Sequence, residues 1–245
     1  MKTLLFITLI FNLSIFADYS SHKDSEKVID ELVTKHGFER AYVLEVLRDA
    51  KKRRTALSSV AKPAEKTKTW DDYKAIFLKK KRILDGKKFI KKNINTLERA
   101  EKEFGVPKEI ITAILGVETN FGNNMGSYRV IDSLTTLGFD DPRRSKFFRS
   151  ELIQLFLLTR ENNLDILKIK GSYAGAMGYS QFISSSYRAY AIDYDGDGYV
   201  DLFNSIEDAV GSIANYLKRH GWKKEGKIVV QTFPNNVRKF YKPHE

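Results

Sequence analysis

Apolar residues recur at intervals of three and four along most of this 245-residue chain. That rhythm places one apolar stripe on each helix, and each stripe must be buried against another element. It is clearest in Ile206, Ala209, Val210, Ile213, Ala214 and Leu217, which predict a helix over 205–220 closed by Gly221. Val28, Ile29, Leu32 and Val33, then Tyr42, Val43, Val46 and Leu47, predict helices within 23–50 that Gly37 interrupts. Residues 70–84, 89–104 and 144–162 read the same way, and so does 180–191. Residues 55–69 carry Ser, Thr, Lys and Pro63 without a period and read as a loop. One strand-like run, 227–233, stands near the end. The expected class is mainly α.

The chain has no cysteine. Disulfides and a lipid-modified N-terminal cysteine are therefore excluded, and stability must come from a packed core, a bound metal or both. Lys2, the apolar run from Leu4 to Phe16 and the small Ala17 read as a secretory signal peptide, with an uncleaved anchor as the alternative. The run is short for a membrane span. A periplasmic protein beginning near Asp18 is expected. The net charge is +11, concentrated in Lys51–Arg54, Lys79–Arg82, Lys87–Lys88 and Lys91–Lys92. Such runs read as solvated helix faces, and outside the cytoplasm they favour contact with a polyanionic wall or another anionic envelope surface. No nucleic-acid-binding fingerprint is present.

Three segments carry chemistry. In Gly116-Val117-Glu118-Thr119-Asn120-Phe121-Gly122, Glu118 follows Ile111 and Ile114 at seven and four residues, on the stripe of an apolar helix that Pro107 opens. A carboxyl on such a stripe has its charged form disfavoured and holds a proton near neutral pH. The alternative is a boundary glutamate whose tip bends to solvent. In Asp193-Tyr194-Asp195-Gly196-Asp197-Gly198-Tyr199-Val200-Asp201, oxygen ligands fall at loop positions 1, 3, 5 and 9, glycine at 6 and the Tyr199 carbonyl at 7. This is a calcium-loop pattern, the alternative being a solvated acidic turn. Position 12 is Asn204, so Glu207 or Asp208 must return the missing carboxylate, and Asp208 is the choice. Finally, Gly171 to Phe182 combines small residues with Ser172, Tyr173, Tyr179 and Gln181. Close backbone approach with rings, hydroxyls and an amide suits a sugar, or else tight packing of a loop on a helix.

Taken in order, Gly-Val-Pro, Gly-Val-Glu-Thr-Asn-Phe-Gly, Asp-Pro-Arg-Arg, Gly-Ser-Tyr-Ala-Gly-Ala-Met-Gly-Tyr-Ser-Gln-Phe, the acidic loop and Ala-Asn-Tyr-Leu-x-x-His-Gly-Trp resemble the lytic murein transglycosylases of the B type, glycoside hydrolase family 103. The likeness runs over roughly residues 70–225. It implies a goose-type lysozyme-like core with an EF-hand-like calcium loop, preceded by a helical region. The corresponding division is 1–17 signal peptide, 18–100 helical N-terminal region, 101–225 core and 226–245 tail.

The resemblance also implies an activity: cleavage of the β-1,4 bond between N-acetylmuramic acid and N-acetylglucosamine, leaving 1,6-anhydromuramyl ends. By motif position, Glu118 is the catalytic acid and base, while Ser172, Gln181, Tyr216 and Tyr179 contact substrate. Asp193, Asp195, Asp197, Tyr199 and Asp208 hold a structural Ca2+. No organic cofactor is implied, and a monomer acting on peptidoglycan strands is expected. Most glycosidases use two carboxylates, and the matching motifs supply one. The alternatives are a peptidoglycan-binding protein that keeps the fold without activity and a lysozyme-type hydrolase. Relatives continue past His220-Gly221-Trp222 into a small β-rich section, so a cleft lacking one wall is a further expectation.

Overall fold

In the computed structural model, which describes residues 18–62 and 68–228, eleven α-helices follow a single 3-10 turn among the described residues. They are α1 Ser25–Thr34, α2 Arg40–Asp49, α3 Arg54–Ala61, α4 Trp70–Phe77, α5 Lys80–Lys92, α6 Ile94–Phe104, α7 Lys108–Thr119, α8 Val130–Asp140, α9 Ser145–Glu161, α10 Ser184–Tyr190 and α11 Ile206–Arg219. Two short strands, β1 Tyr128–Arg129 and β2 Lys170–Gly171, pair antiparallel with Tyr128 opposite Gly171. The leader and most of the 227–233 run lie outside the described residues.

Several elements differ from the expectations above, each for a physical reason. Helix α3 occupies part of the stretch read as a loop. Its Ala56 is fully buried and Leu57 and Val60 pack on the core, so tertiary contact makes up for the weak period. Helix α8 carries no readable stripe because residues 130–139 are buried on every side. Helix α10 begins at Ser184, not Ser180, because Met177 and Phe182 bridge across a turn first. The helix read over 70–84 divides at Leu78 and Lys79, and its second part runs on to Lys92.

The buried apolar residues from Tyr19 to Ala214 form one cluster. α8 lies along α9 at its centre, and α5 and α11 flank α7. Gly105 takes φ +72° and closes α6, a conformation that glycine adopts without steric cost. Pro107 then caps α7.

The Lys51–Arg54 run is a seam between helices and not merely a solvated face. Asp132 of α8 is fully buried. It accepts Arg53 Nη2 at 2.7 Å and Arg129 Nη2 at 2.6 Å, together with the amide of Lys51 at 3.0 Å. Lys52 pairs with Asp140 at 3.2 Å. Burial alone would raise the Asp132 pKa, but these donors hold it below the usual aspartate value. No helix among the described residues is long and apolar enough to cross a membrane.

Candidate active site

Helix α7 delivers Glu118 in its last turn. Ile111 and Leu115 are buried below it, and Ile114 packs half-buried on the core. At the end of the stripe the helix leaves the core. Glu118, placed by its spacing on the buried stripe, is therefore exposed at the mouth of a groove, and the neighbouring Val117 is 47% exposed. Solvent reaches the Glu118 side chain from the open side, while the protein around the carboxyl displaces water from the rest. Desolvation by burial raises its pKa. The carbonyl end of α7 adds a field of the same sign.

The chain after Glu118 is held tightly. Asn120 and Phe121 both take left-handed backbone angles, φ 51° and 59°. Thr119, fully buried, donates its hydroxyl to the carbonyl of Tyr179 at 3.1 Å and accepts the amide of Gly122 at 3.0 Å. Gly122, φ +86°, lies against the Tyr179 ring, where a Cβ would come within 2.0 Å of Cε1. The Glu118 turn and the 171–182 loop are thus clamped together.

Glu118, Gln181 and Tyr216 line one cavity of about 310 Å³, with Ile114, Ser180 and Phe182. Among the described residues that line it, Glu118 is the one carboxylate. Gln181 donates Nε2 to the carbonyls of Gly178 at 3.0 Å and Met125 at 3.2 Å, so its amide oxygen stays available. Tyr216 stacks on His220 with ring centroids 4.0 Å apart. Ser172 and Tyr179 are outside this lining. The Ser172 oxygen accepts the amides of Ala174 and Ala176 at 3.3 and 3.0 Å, and Tyr179 forms the clamp just described. Ser180 and Ser186, which also line the cavity, were missed in the sequence. A serine in a helix-like run carries no signal that separates a site face from a capping role.

At the acidic loop, Asp193, Asp195 and Asp197 bring carboxylate oxygens within 4.8 Å of one another, all exposed. Asp193 accepts the amides of Gly196 and Gly198 at 2.7 and 2.8 Å. Asp197 accepts that of Tyr199 at 2.8 Å, which fixes the turn. Asp208 stands apart from this trio. It is buried beneath the loop and accepts the amides of Tyr194 at 2.6 Å and Asp201 at 2.7 Å. Three like charges this close suit a hard cation with oxygen ligands.

Residues 20–243 match the family of the transglycosylase SLT domain. The chain belongs to this family. It is 40% identical over 222 residues to the membrane-bound lytic murein transglycosylase B of Escherichia coli strain K12, over 87% of this chain and 61% of that protein. The chain thus spans about 61% of the length of that curated relative. The soluble lytic transglycosylase SltB1 of Pseudomonas aeruginosa superposes with a TM-score of 0.78 at 47% identity, over 82% of this chain and 68% of that one. The Escherichia coli lytic transglycosylase Slt35, solved in complex with calcium, gives 0.80 at 40% identity, over 86% and 67%. The mainly helical fold is the lysozyme-like one of these transglycosylases.

Proposed function

We propose that this SLT-family chain cleaves the β-1,4 bond between N-acetylmuramic acid and N-acetylglucosamine in peptidoglycan by lytic transglycosylation. The observation that carries this reading is Glu118: a lone carboxylate with a raised pKa in a cavity walled by an amide, a tyrosine ring and apolar side chains. The same group serves twice. Protonated, it donates to the glycosidic oxygen as the C1–O bond breaks. The muramyl N-acetyl group supports the cation at C1. Ionised, Glu118 takes the proton of the sugar's own 6-hydroxyl, whose oxygen closes on C1. The carboxyl ends as it began, and water is not consumed. Gln181 and Tyr216 orient the sugars in the cavity, and Ser172 and Tyr179 bear on its flank.

Under the same proposal the acidic loop binds Ca2+ through Asp193, Asp195, Asp197 and the Tyr199 carbonyl, with Asp208 behind them. The ion would supply structural cross-linking and no step of the reaction. Residues 1–17 export the protein to the periplasm, and the basic face of α5 favours an anionic wall. Mass spectrometry of purified sacculi after digestion tests the activity. Anhydromuramyl ends are expected. Reducing ends would identify a hydrolase, and an unchanged sacculus a binding protein.

A further inference from the structure

Helix α5 sets apolar residues among its outward lysines. Leu84 is exposed, and Lys80, Lys87, Lys88 and Lys91 stand around it at spacings of three, four and seven residues, all exposed as well. Ile83 is also exposed, and so is Leu78 on the link from α4, to 68%. A surface helix normally turns such residues toward the core. The inward side of α5 is already filled by Phe89, which is buried, and Ile90, which packs on the core. Beside this face a groove of about 270 Å³ opens between α5 and α7, lined by Phe77, Ile90, Val117 and Phe121. Leu78 and Ile83 line it too, so the exposed apolar face and the groove are continuous.

The charge of this region has one sign. Over residues 70–92, nine lysines and arginines stand against three aspartates. Each aspartate is engaged. Asp71 pairs with Lys74 and Asp85 with Lys81, both at 2.5 Å, and Asp72 accepts the Thr69 hydroxyl at 2.6 Å. Glu109 of α7 also lines the groove, and Lys108 lies 3.8 Å from it. Arg82 donates to the Ile76 carbonyl at 3.3 Å. Lys79, Lys80, Lys87, Lys88, Lys91 and Lys92 are exposed and have no ion-pair partner among the described residues.

We infer that this face docks on an anionic phospholipid bilayer. Leu78, Ile83 and Leu84 enter the boundary between headgroups and acyl chains, and the surrounding lysines hold the lipid phosphates. Charge alone would serve any polyanion, the wall included. A hydrated polyanion gives Leu84 and the groove nothing to bury against, whereas acyl chains do. The inference stands apart from the glycan reading, because no residue of α4 or α5 lines the catalytic cavity.

The test uses the protein purified after export, with calcium present, so that any contribution of the amino terminus is common to all variants. Co-sedimentation compares vesicles of phosphatidylglycerol and phosphatidylethanolamine with neutral phosphatidylcholine vesicles. Binding should favour the anionic vesicles and weaken with salt. Lys87→Gln with Lys88→Gln should weaken it about thirty-fold, at the usual worth of a lysine near an anionic surface. Leu84→Ser should weaken it at least about ten-fold, through the lost acyl contact. Leu84→Trp should keep binding and add a blue-shifted emission with anionic vesicles that the parent lacks. This variant decides the matter if Leu84→Ser melts below the parent. Failure to bind anionic vesicles overturns the inference. So does full binding by a stably folded Leu84→Ser, or a Leu84→Trp emission that does not move, since either leaves the lysines to a polyanion such as the wall. None of these outcomes touches the glycan reading.

Discussion

The Phe121 ring stacks on Phe89 of α5, centroids 5.4 Å apart, in space left open by two glycines. A Cβ at Gly116 of α7 would lie 2.8 Å from Phe121 Cζ, and one at Gly86 of α5 would lie 3.4 Å away. Phe121 itself sits at φ 59°, a conformation unfavourable for a bulky side chain. The strain is held by the stack and by the amide of Phe121, which donates to the Leu115 carbonyl at 3.0 Å. The ring therefore wedges α5 against the helix that carries Glu118, three residues before it.

Removing the wedge should affect both stability and turnover. Phe121→Ala is expected to cost about 3 kcal/mol, the low end for a large-to-small change because the ring is half-buried. It should also lower kcat more than it raises KM, since Glu118 moves and the far wall of the cleft does not. Urea melts and steady-state turnover of sacculi check this. A variant with normal kcat would show that Glu118 is held by α7 alone.

Glu118→Gln should reduce turnover by at least about 10²-fold, the low end for a positioned acid or base. Its stability should move the other way. A carboxyl whose folded pKa lies above its unfolded value stabilises the native state fully only below the unfolded value, and that contribution is lost as pH rises through the folded pKa. Once pH exceeds its raised pKa, the ionised Glu118 thus weakens the fold, and Gln does not. The variant should melt above the parent protein at neutral pH, with the gap closing below the ordinary glutamate pKa of about 4.3. A pH series of thermal melts decides it. A variant that melts lower at pH 7 would contradict the desolvated carboxylate.

How far the sequence carried this picture depended on whether a pattern had contrast. α11 was plain because Ala209, Val210, Ile213 and Ala214 are buried while Lys218 and Arg219 are not. α8 was invisible because nothing on it faces water. Glu118 was legible as the odd carboxylate on an apolar stripe, but the point where α7 leaves the core depends on packing that the stripe does not encode. Lys51–Arg54 misled for the opposite reason: charge on a surface and charge on a buried Asp132 look alike in a sequence. The acidic loop was readable because its spacing is local. The cavity of about 690 Å³ beside Lys170 was not, because it is assembled from the segment after α9, β2, α10 and the acidic loop at once.

The Asp132 seam predicts a second pH signature, on the acid side. Its depressed pKa gives stability that is present above the unfolded aspartate value of about 3.9 and is lost as pH falls through the still lower folded value. Asp132→Asn leaves Arg53 without its carboxylate and Arg129 with Asp49 alone. It should cost about 3 kcal/mol near neutral pH, the low end for breaking a buried pair because both arginines are partly exposed. Denaturant titrations at pH 7 and at pH 2–3 should show the deficit shrinking in acid. A constant deficit would assign the effect to shape and not to charge.

The last prediction concerns calcium, and it follows from how the acidic loop is tied to the catalytic cavity. Asp193, Asp195 and Asp197 repel one another across 4.8 Å or less, so the loop is strained as long as nothing neutralises them. The loop is bonded in turn to the segment that carries Gln181: the amide of Tyr179 donates to the Leu202 carbonyl at 2.8 Å, and Gly178 packs so closely that a Cβ would meet that carbonyl at 2.4 Å. Asp208 fastens the loop to α11 through the amides of Tyr194 and Asp201. A cation bound only by the native state raises apparent stability by about 2.7 kcal/mol at 100 times its Kd. Thermal melts with calcium should therefore run above melts with chelator, and Asp195→Asn should narrow the difference. Glu118 is tied to the loop only at one further remove, through Thr119 and Tyr179, so chelation should loosen Gln181 first and raise KM before kcat falls. Identical melts with and without calcium would remove the ion from the loop, and an early loss of kcat would place it in the chemistry.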